Sequence, residues 1–337
     1  MKIECFIIVL VGSVLLLTGC ESSSDDYVLQ QNNLENLAHN INSDFFEIYL
    51  SVDTLAKKMA SLYQRKNEII PTVNPDDYAL HENGVLYKKK VGEGTAVFVS
   101  GNLKVDNAVK EEVYLTVGLD NDLIATVHHS HTVTQAYYNS KFSLNRIFPG
   151  LDVLSQYPPG MDITAYNFYY LADAEHNPDK KALWVEEPYV DPAGRGWMVS
   201  AIAPVYFENT LQGVAGLDVT INTLLKRYLP AKNTNTIIVD HNGKLIAGSS
   251  EALFLFGMPF LKEYQYNTTI KQDMILGEDY TIQQSKNQSL RAAVNELLEK
   301  NTPLSHFTKT GHNYVLLHST IKELNWIILQ AIEVEKS

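Results

Sequence analysis

The sequence predicts an α+β fold, a long N-terminal helix followed by two modules built on antiparallel sheets. Three observations carry the prediction. Apolar residues recur at spacings of three and four from Leu34 to Leu62, the period of one helix face. Beyond Pro71 the pattern changes to short alternating runs bounded by turn residues, the pattern of strands. Both halves of that region follow the order hairpin, helix, paired strands, without a strict sequence repeat. Two α+β modules behind one helix are the economical account.

The helix stripe is Leu34, Leu37, Ile41, Phe45, Ile48, Val52, Leu55, Met59 and Leu62, with polar residues such as Asn36, Asp44 and Lys57 between them. From about Tyr27 to Arg65 it would span roughly 50 Å. Its apolar face must be covered, either by a second copy in a coiled coil or by the chain's own modules.

Strands are expected at 84–87, 95–99 and 124–127, then a helix from about Gln135 to Ser155 ended by Tyr157-Pro158-Pro159-Gly160. Longer strands follow at 182–185, 196–206 and 211–219, whose length and spacing favour an antiparallel sheet. In the second half, 236–239 and 244–247 flank Asp240-His241-Asn242-Gly243, a hairpin turn because Asn-Gly tolerates positive φ. A helix over 289–300 and strands at 314–318 and 326–330 complete the chain.

The first residues, MKIECFIIVLVGSVLLLTGC, have the layout of a secretory signal. The apolar run from Phe6 to Leu17 is shorter than the roughly 20 residues that span a bilayer. Leu17-Thr18-Gly19-Cys20 resembles the lipobox of bacterial lipoproteins, in which the cysteine is lipidated and becomes the first mature residue. The resemblance implies an extracytoplasmic, lipid-anchored chain in the cell envelope. Removing residues 1–19 removes Cys5, so Cys20 would be the sole mature cysteine, with no intrachain disulfide and no cysteine-based metal site. The expected organisation is signal peptide 1–19, lipidated tether 20–26, long helix 27–66, a first module 67–221 and a second 222–337. A net charge of −12 without a basic run argues against nucleic acid and against adsorption to anionic lipid. A 45% hydrophobic, 10% aromatic composition in 337 residues is that of folded protein with room for two modest domains.

Four pieces in order, Tyr166-Asn167-Phe168-Tyr169-Tyr170-Leu171-Ala172, Trp184-Val185-Glu186-Glu187-Pro188-Tyr189-Val190-Asp191, Trp197-Met198-Val199-Ser200 and Gly213-Val214-Ala215-Gly216-Leu217-Asp218-Val219-Thr220, resemble the double Cache (dCache) family of extracytoplasmic sensor domains. The resemblance implies that both modules are PAS-like, the first distal and the second proximal to the membrane, with a small ligand held in the distal one. The family's amino-acid and amine sensors carry an arginine two residues before an aromatic pair, then a tyrosine, then an aspartate ending the glycine-containing strand. Tyr189 and Asp218 stand at the last two positions and Phe168 and Tyr169 at the pair. Tyr166 occupies the arginine position, which puts bidentate recognition of an α-carboxylate in doubt. An aspartate and the faces of Phe168, Tyr169, Trp184 and Tyr189 suit a cationic ligand. Equally, the aromatics could be core and Asp218 could cap the segment from Val219 to Leu225.

Other features read more plainly. Asp191-Pro192-Ala193-Gly194 is a turn, and Arg195 after it is a solvated loop residue within reach of an anion. In a strand, His129 and His131 would share a face and form a metal pair; with no carboxylate nearby, a solvated strand end is simpler. Motifs for HExxH, GxSxG and GxxxxGK[ST] chemistry do not occur, and Gly92-Glu93-Gly94 lacks the third glycine of a dinucleotide fingerprint. The sequence therefore points to no enzyme and to no cofactor or metal. It points to a sensor of a small amine or amino-acid-like ligand. With no transmission segment after Ser337, its expected partner is a membrane-bound histidine kinase or cyclase. Delivery of a solute to a transporter is the alternative, disfavoured because such proteins use parallel βαβ lobes.

Overall fold

The computed structural model describes residues 22–230, 235–261, 272–300 and 302–334; the expected signal peptide and lipidated Cys20 lie outside them. Helix α1 runs Ser22–Gln64, 43 residues. It begins inside the stretch expected to be tether: Ser22 to Asp26 are helical, and an acidic residue such as Asp26 is favourable near a helix N-terminus. No described helix is long and apolar enough to cross a membrane.

The α1 stripe is buried as its spacing requires, from Leu34 to Leu62 with Ile41, Phe45, Val52 and Met59 fully enclosed. Each such side chain contributes about 1.5–3 kcal/mol by leaving water. The cover is the chain itself, because α1 packs on both sheets. A single core joins the helix to Ala201, Ala203 and Leu217 of the first sheet and to Val315, Leu317 and Trp326 of the second.

After α1 come α2 (Lys66–Ile69), β1 (Tyr78–Leu80), β2 (Leu86–Lys88), β3 (Ala96–Val99), α3 (Asn107–Leu115) and α4 (Asp120–His129). Next are β4 (Gln135–Ser140), β5 (Leu144–Phe148), α5 (Val153–Gln156), α6 (Asn167–Tyr170), β6 (Leu183–Val190), β7 (Trp197–Phe207), β8 (Thr210–Thr220) and α7 (Ile221–Tyr228). The second module holds β9 (Thr236–Asp240), β10 (Leu245–Gly248), α8 (Ser250–Phe256), α9 (Gln288–Lys300), β11 (Leu304–Lys309), β12 (His312–Ile321) and β13 (Trp326–Val334). The first sheet has the order β1-β2-β3-β5-β4-β8-β7-β6 and the second β10-β9-β13-β12-β11. Their strand pairs are antiparallel throughout. The run β5-β4-β8-β7-β6 has the connectivity of β10-β9-β13-β12-β11, so the second sheet repeats the larger part of the first.

Two expected elements are corrected. The helix over Gln135 to Ser155 is the hairpin β4–β5, and only α5 is helical there. Every residue of both strands is buried, so neither shows the in–out contrast that marks a strand. Residues 124–127, expected as a strand, lie in α4, where tertiary packing overrides the β-branched run. The histidines therefore do not alternate on a strand: His129 ends α4 and His131 follows it. The turn before β10 is as expected, with Gly243 at φ 82°.

Candidate functional site

One face of the first sheet meets α1; the other carries a second core with a narrow cleft in it, a cavity of about 30 Å³. Strand alternation puts Gln135, Tyr137 and Asn139 of β4 on this face, with Asn145 and Ile147 of β5 beside them. Tyr189, Asp191 and Asp218 close one end. Tyr157, Met161, Ile163 and Phe168 cover it.

The acidic end is a buried network. Ser200 Oγ donates to Asp218 Oδ1 at 2.5 Å. Since that uses the Ser200 proton, the 2.7 Å contact between the Tyr189 and Ser200 hydroxyls runs from tyrosine to serine. Gln135 Nε2 donates to the other Asp218 oxygen, and Gln135 Oε1 accepts from Arg195 Nε at 2.5 Å. Burial, with the charge of Asp191 second, pushes the Asp218 carboxyl up to about 7. Burial also raises Asp191, although the Ala193 and Arg195 backbone N–H groups donate to it at 2.9 and 3.1 Å.

Among the described residues that line the cleft, none is cationic. Arg146, between the lining residues Asn145 and Ile147, projects to the other face and pairs with Asp120 at 2.6 Å. Arg195 is partly buried and held by Gln135 and the Pro149 carbonyl, not solvated as expected. The Tyr137 hydroxyl is buried and meets no neighbour in hydrogen-bonding geometry. Its ring lies over β8, and a Cβ on Gly216 would sit 2.1 Å from Tyr137 Cζ, so the glycine is what admits the ring. At the far end Asn145 Nδ2 donates to Asn139 Oδ1 at 2.8 Å, leaving neutral dipoles.

Of the six side chains expected at the site, Phe168, Tyr189 and Asp218 line the cleft. Asp218 does not cap the next helix: Thr220 caps α7, accepting from Thr223 N. Tyr166 stacks behind Phe168, centroids 5.2 Å apart, and Tyr169 is buried outside the lining. In the single turn of α6, neighbouring side chains diverge by about 100°, so one of the pair faces the cleft. Trp184 is a correction: it lies on the opposite face of the sheet, 5.0 Å from the Phe45 ring of α1, with Nε1 donating to Glu323 at 3.3 Å. Alternation sends Val185, its neighbour, to the cleft side. Asp191 was missed because Asp-Pro-Ala-Gly reads as a turn; it is one, with Gly194 N donating to Asp191 O at 3.0 Å, and its carboxyl is at the site as well. Its place two residues after Tyr189 was the available signal. The histidines border a separate open groove with Asp44, Asp122 and Arg227. Among the described residues no group of three or more His, Cys, Asp or Glu is placed to hold a metal ion.

The long helix backing two antiparallel sheets is a fold shared with solved chemoreceptor ligand-binding domains. The ligand-binding domain of the Pseudomonas fluorescens chemoreceptor CtaA in complex with L-alanine superposes with TM-score 0.53 at 17% identity, covering 93% of this chain and 99% of that one. The same domain with L-isoleucine gives 0.54 at 16%, covering 92% and 93%. With L-serine it gives 0.53 at 16%, covering 92% and 97%. At such identities the likeness establishes the fold. No protein-family model matches the chain, and no curated protein is significantly similar to it.

Proposed function

We propose that the protein is a dCache-type extracytoplasmic sensor, held to a membrane by a lipidated Cys20. It binds a small ligand bearing an ammonium group in the first module and relays occupancy to a membrane-bound histidine kinase or cyclase. The observation that carries the reading is the pair of buried carboxylates, Asp191 and Asp218, in a cleft with no cation among its described lining residues. Ionised, they leave negative charge away from water, which an ammonium would neutralise. The buried Tyr137 hydroxyl, close to Asp218, supplies a further polar contact, and the aromatic rings of Phe168 and Tyr189 line the same cleft, where a cation would be attracted to them. Tyr166 in place of the family's arginine favours an amine over a zwitterion; the fold shared with domains complexed to L-alanine and L-isoleucine supports an amino-acid-sized ligand.

The test is calorimetric titration with L-alanine, L-arginine, methylamine and putrescine at pH 8. At least one amine-bearing compound is expected to bind saturably, and Asp218→Asn to weaken it by at least about thirtyfold, the loss from breaking a buried charge pair. Unchanged affinity in that variant would remove Asp218 from the site.

A further inference from the structure

The first module's pocket is lined by the first module, but two of its walls are braced from outside by the second. The segment Asp273 to Ile275 belongs to the second module and lies against β6 and the start of α6, two walls of the cleft. Ile275 forms an antiparallel bridge with Tyr189, and the Met274 carbonyl accepts from Val190 N at 3.0 Å, extending the edge strand β6 by one short pairing. Both Asp273 oxygens accept from Asn167 N, at 3.1 and 3.2 Å, at the start of α6. The Met274 side chain packs on the cleft-side core. Tyr189 and Phe168, the lining residues nearest these contacts, are therefore carried by the two elements that the segment grips.

The same segment leads back into the second sheet. Six residues on, Thr281 bridges to Lys244 beside the β9–β10 turn, and Ile282 N donates to the Gly243 carbonyl at 2.7 Å. Lys244 Nζ also reaches Glu187 Oε1 of β6 at 2.5 Å, with the lysine largely buried. A continuous run of backbone contacts thus joins the pocket walls to the hairpin of the other module.

We propose that Asp273 to Ile275 is a clasp that couples the first module's cleft to the β9–β10 hairpin: a change in the set of β6 or α6 is passed to the second module through this segment. Coupling of this kind is reciprocal, so loosening the clasp also loosens the pocket walls.

Hydrogen–deuterium exchange tests this without a ligand, so its outcome is separate from the binding test above. In Asp273→Ala, amides of α6 and of β6 at Val190 should exchange about tenfold faster, as expected when a hydrogen bond to a charged group is lost. Asp218→Asn, which disturbs Tyr189 through Ser200, should change exchange over 236–248, and the double variant should confine the change to the first module. Unaltered exchange at both α6 and Val190 in Asp273→Ala overturns the clasp. So does a second-module response that survives in the double variant.

Discussion

The far faces of the two sheets share a connectivity and differ in what fills them. In the second module, Ile237, Val239, Leu245, Phe256, Leu297 and Leu329 close the face into a solid apolar core under α8 and α9. In the first, the corresponding strands β4 and β8 place Gln135 and Asp218 there, backed by Ser200 of β7, and a cleft remains. One topology thus yields a packed core or a polar pocket according to a few side chains on one face. The polar version carries a stability cost, because its carboxylates are desolvated.

The largest test of this contrast imposes the polar solution on the apolar face. Leu329→Asp, on the strand equivalent to β8, puts a charge among side chains that offer it no partner. It should cost about 3–5 kcal/mol or unfold the chain, read by urea denaturation. Next comes Trp184→Ala, which separates the two faces of the first sheet. It should cost about 3 kcal/mol in the same assay through lost packing on Phe45, with calorimetric ligand affinity unchanged. Weakened binding would place Trp184 within reach of the cleft after all.

The smallest effect has the opposite sign. The Asp218 carboxyl, raised from 3.8 to about 7, binds more protons folded than unfolded between those values. Stability therefore falls as pH rises from about 4 to about 7 and levels off above. Asp218→Asn removes that share of the slope. The variant should match the parent near pH 4 and exceed it at pH 8, with about 4 kcal/mol as the ceiling set by the shift and the lost hydrogen bonds taking most of it back, measured by thermal or urea unfolding. A variant less stable than the parent at pH 8 would mean that the Ser200 and Gln135 hydrogen bonds outweigh the burial of charge.

Much of the architecture was legible where burial is one-sided. The α1 stripe and the long strands β7 and β8 announce themselves through period and length, and the β9–β10 turn through Asn242-Gly243. Legibility failed where both faces of a strand are buried, as in β4 and β5, whose Tyr137 and Tyr138 enter different cores. At the site, Tyr189 and Asp218 were expected only through the resemblance to the dCache motif, and both line the cleft. The direction of Phe168 against Tyr169 depends on a single helical turn, and that of Trp184 on which neighbour of a strand pair meets α1. Asp191 was hidden because one residue serves both as a turn former and as a wall of the cleft.

The core that α1 shares with both sheets bears on how such a chain can be divided. By connectivity the modules are separable units; by packing they are not, since Val315, Leu317 and Trp326 of the second sheet and Ala201, Ala203 and Leu217 of the first are sealed by the same helix. A recombination event or an expression fragment cut at residue 221 would strip the second module of its cover and expose an apolar sheet face. For grafting or domain exchange the transferable unit is the helix with both sheets.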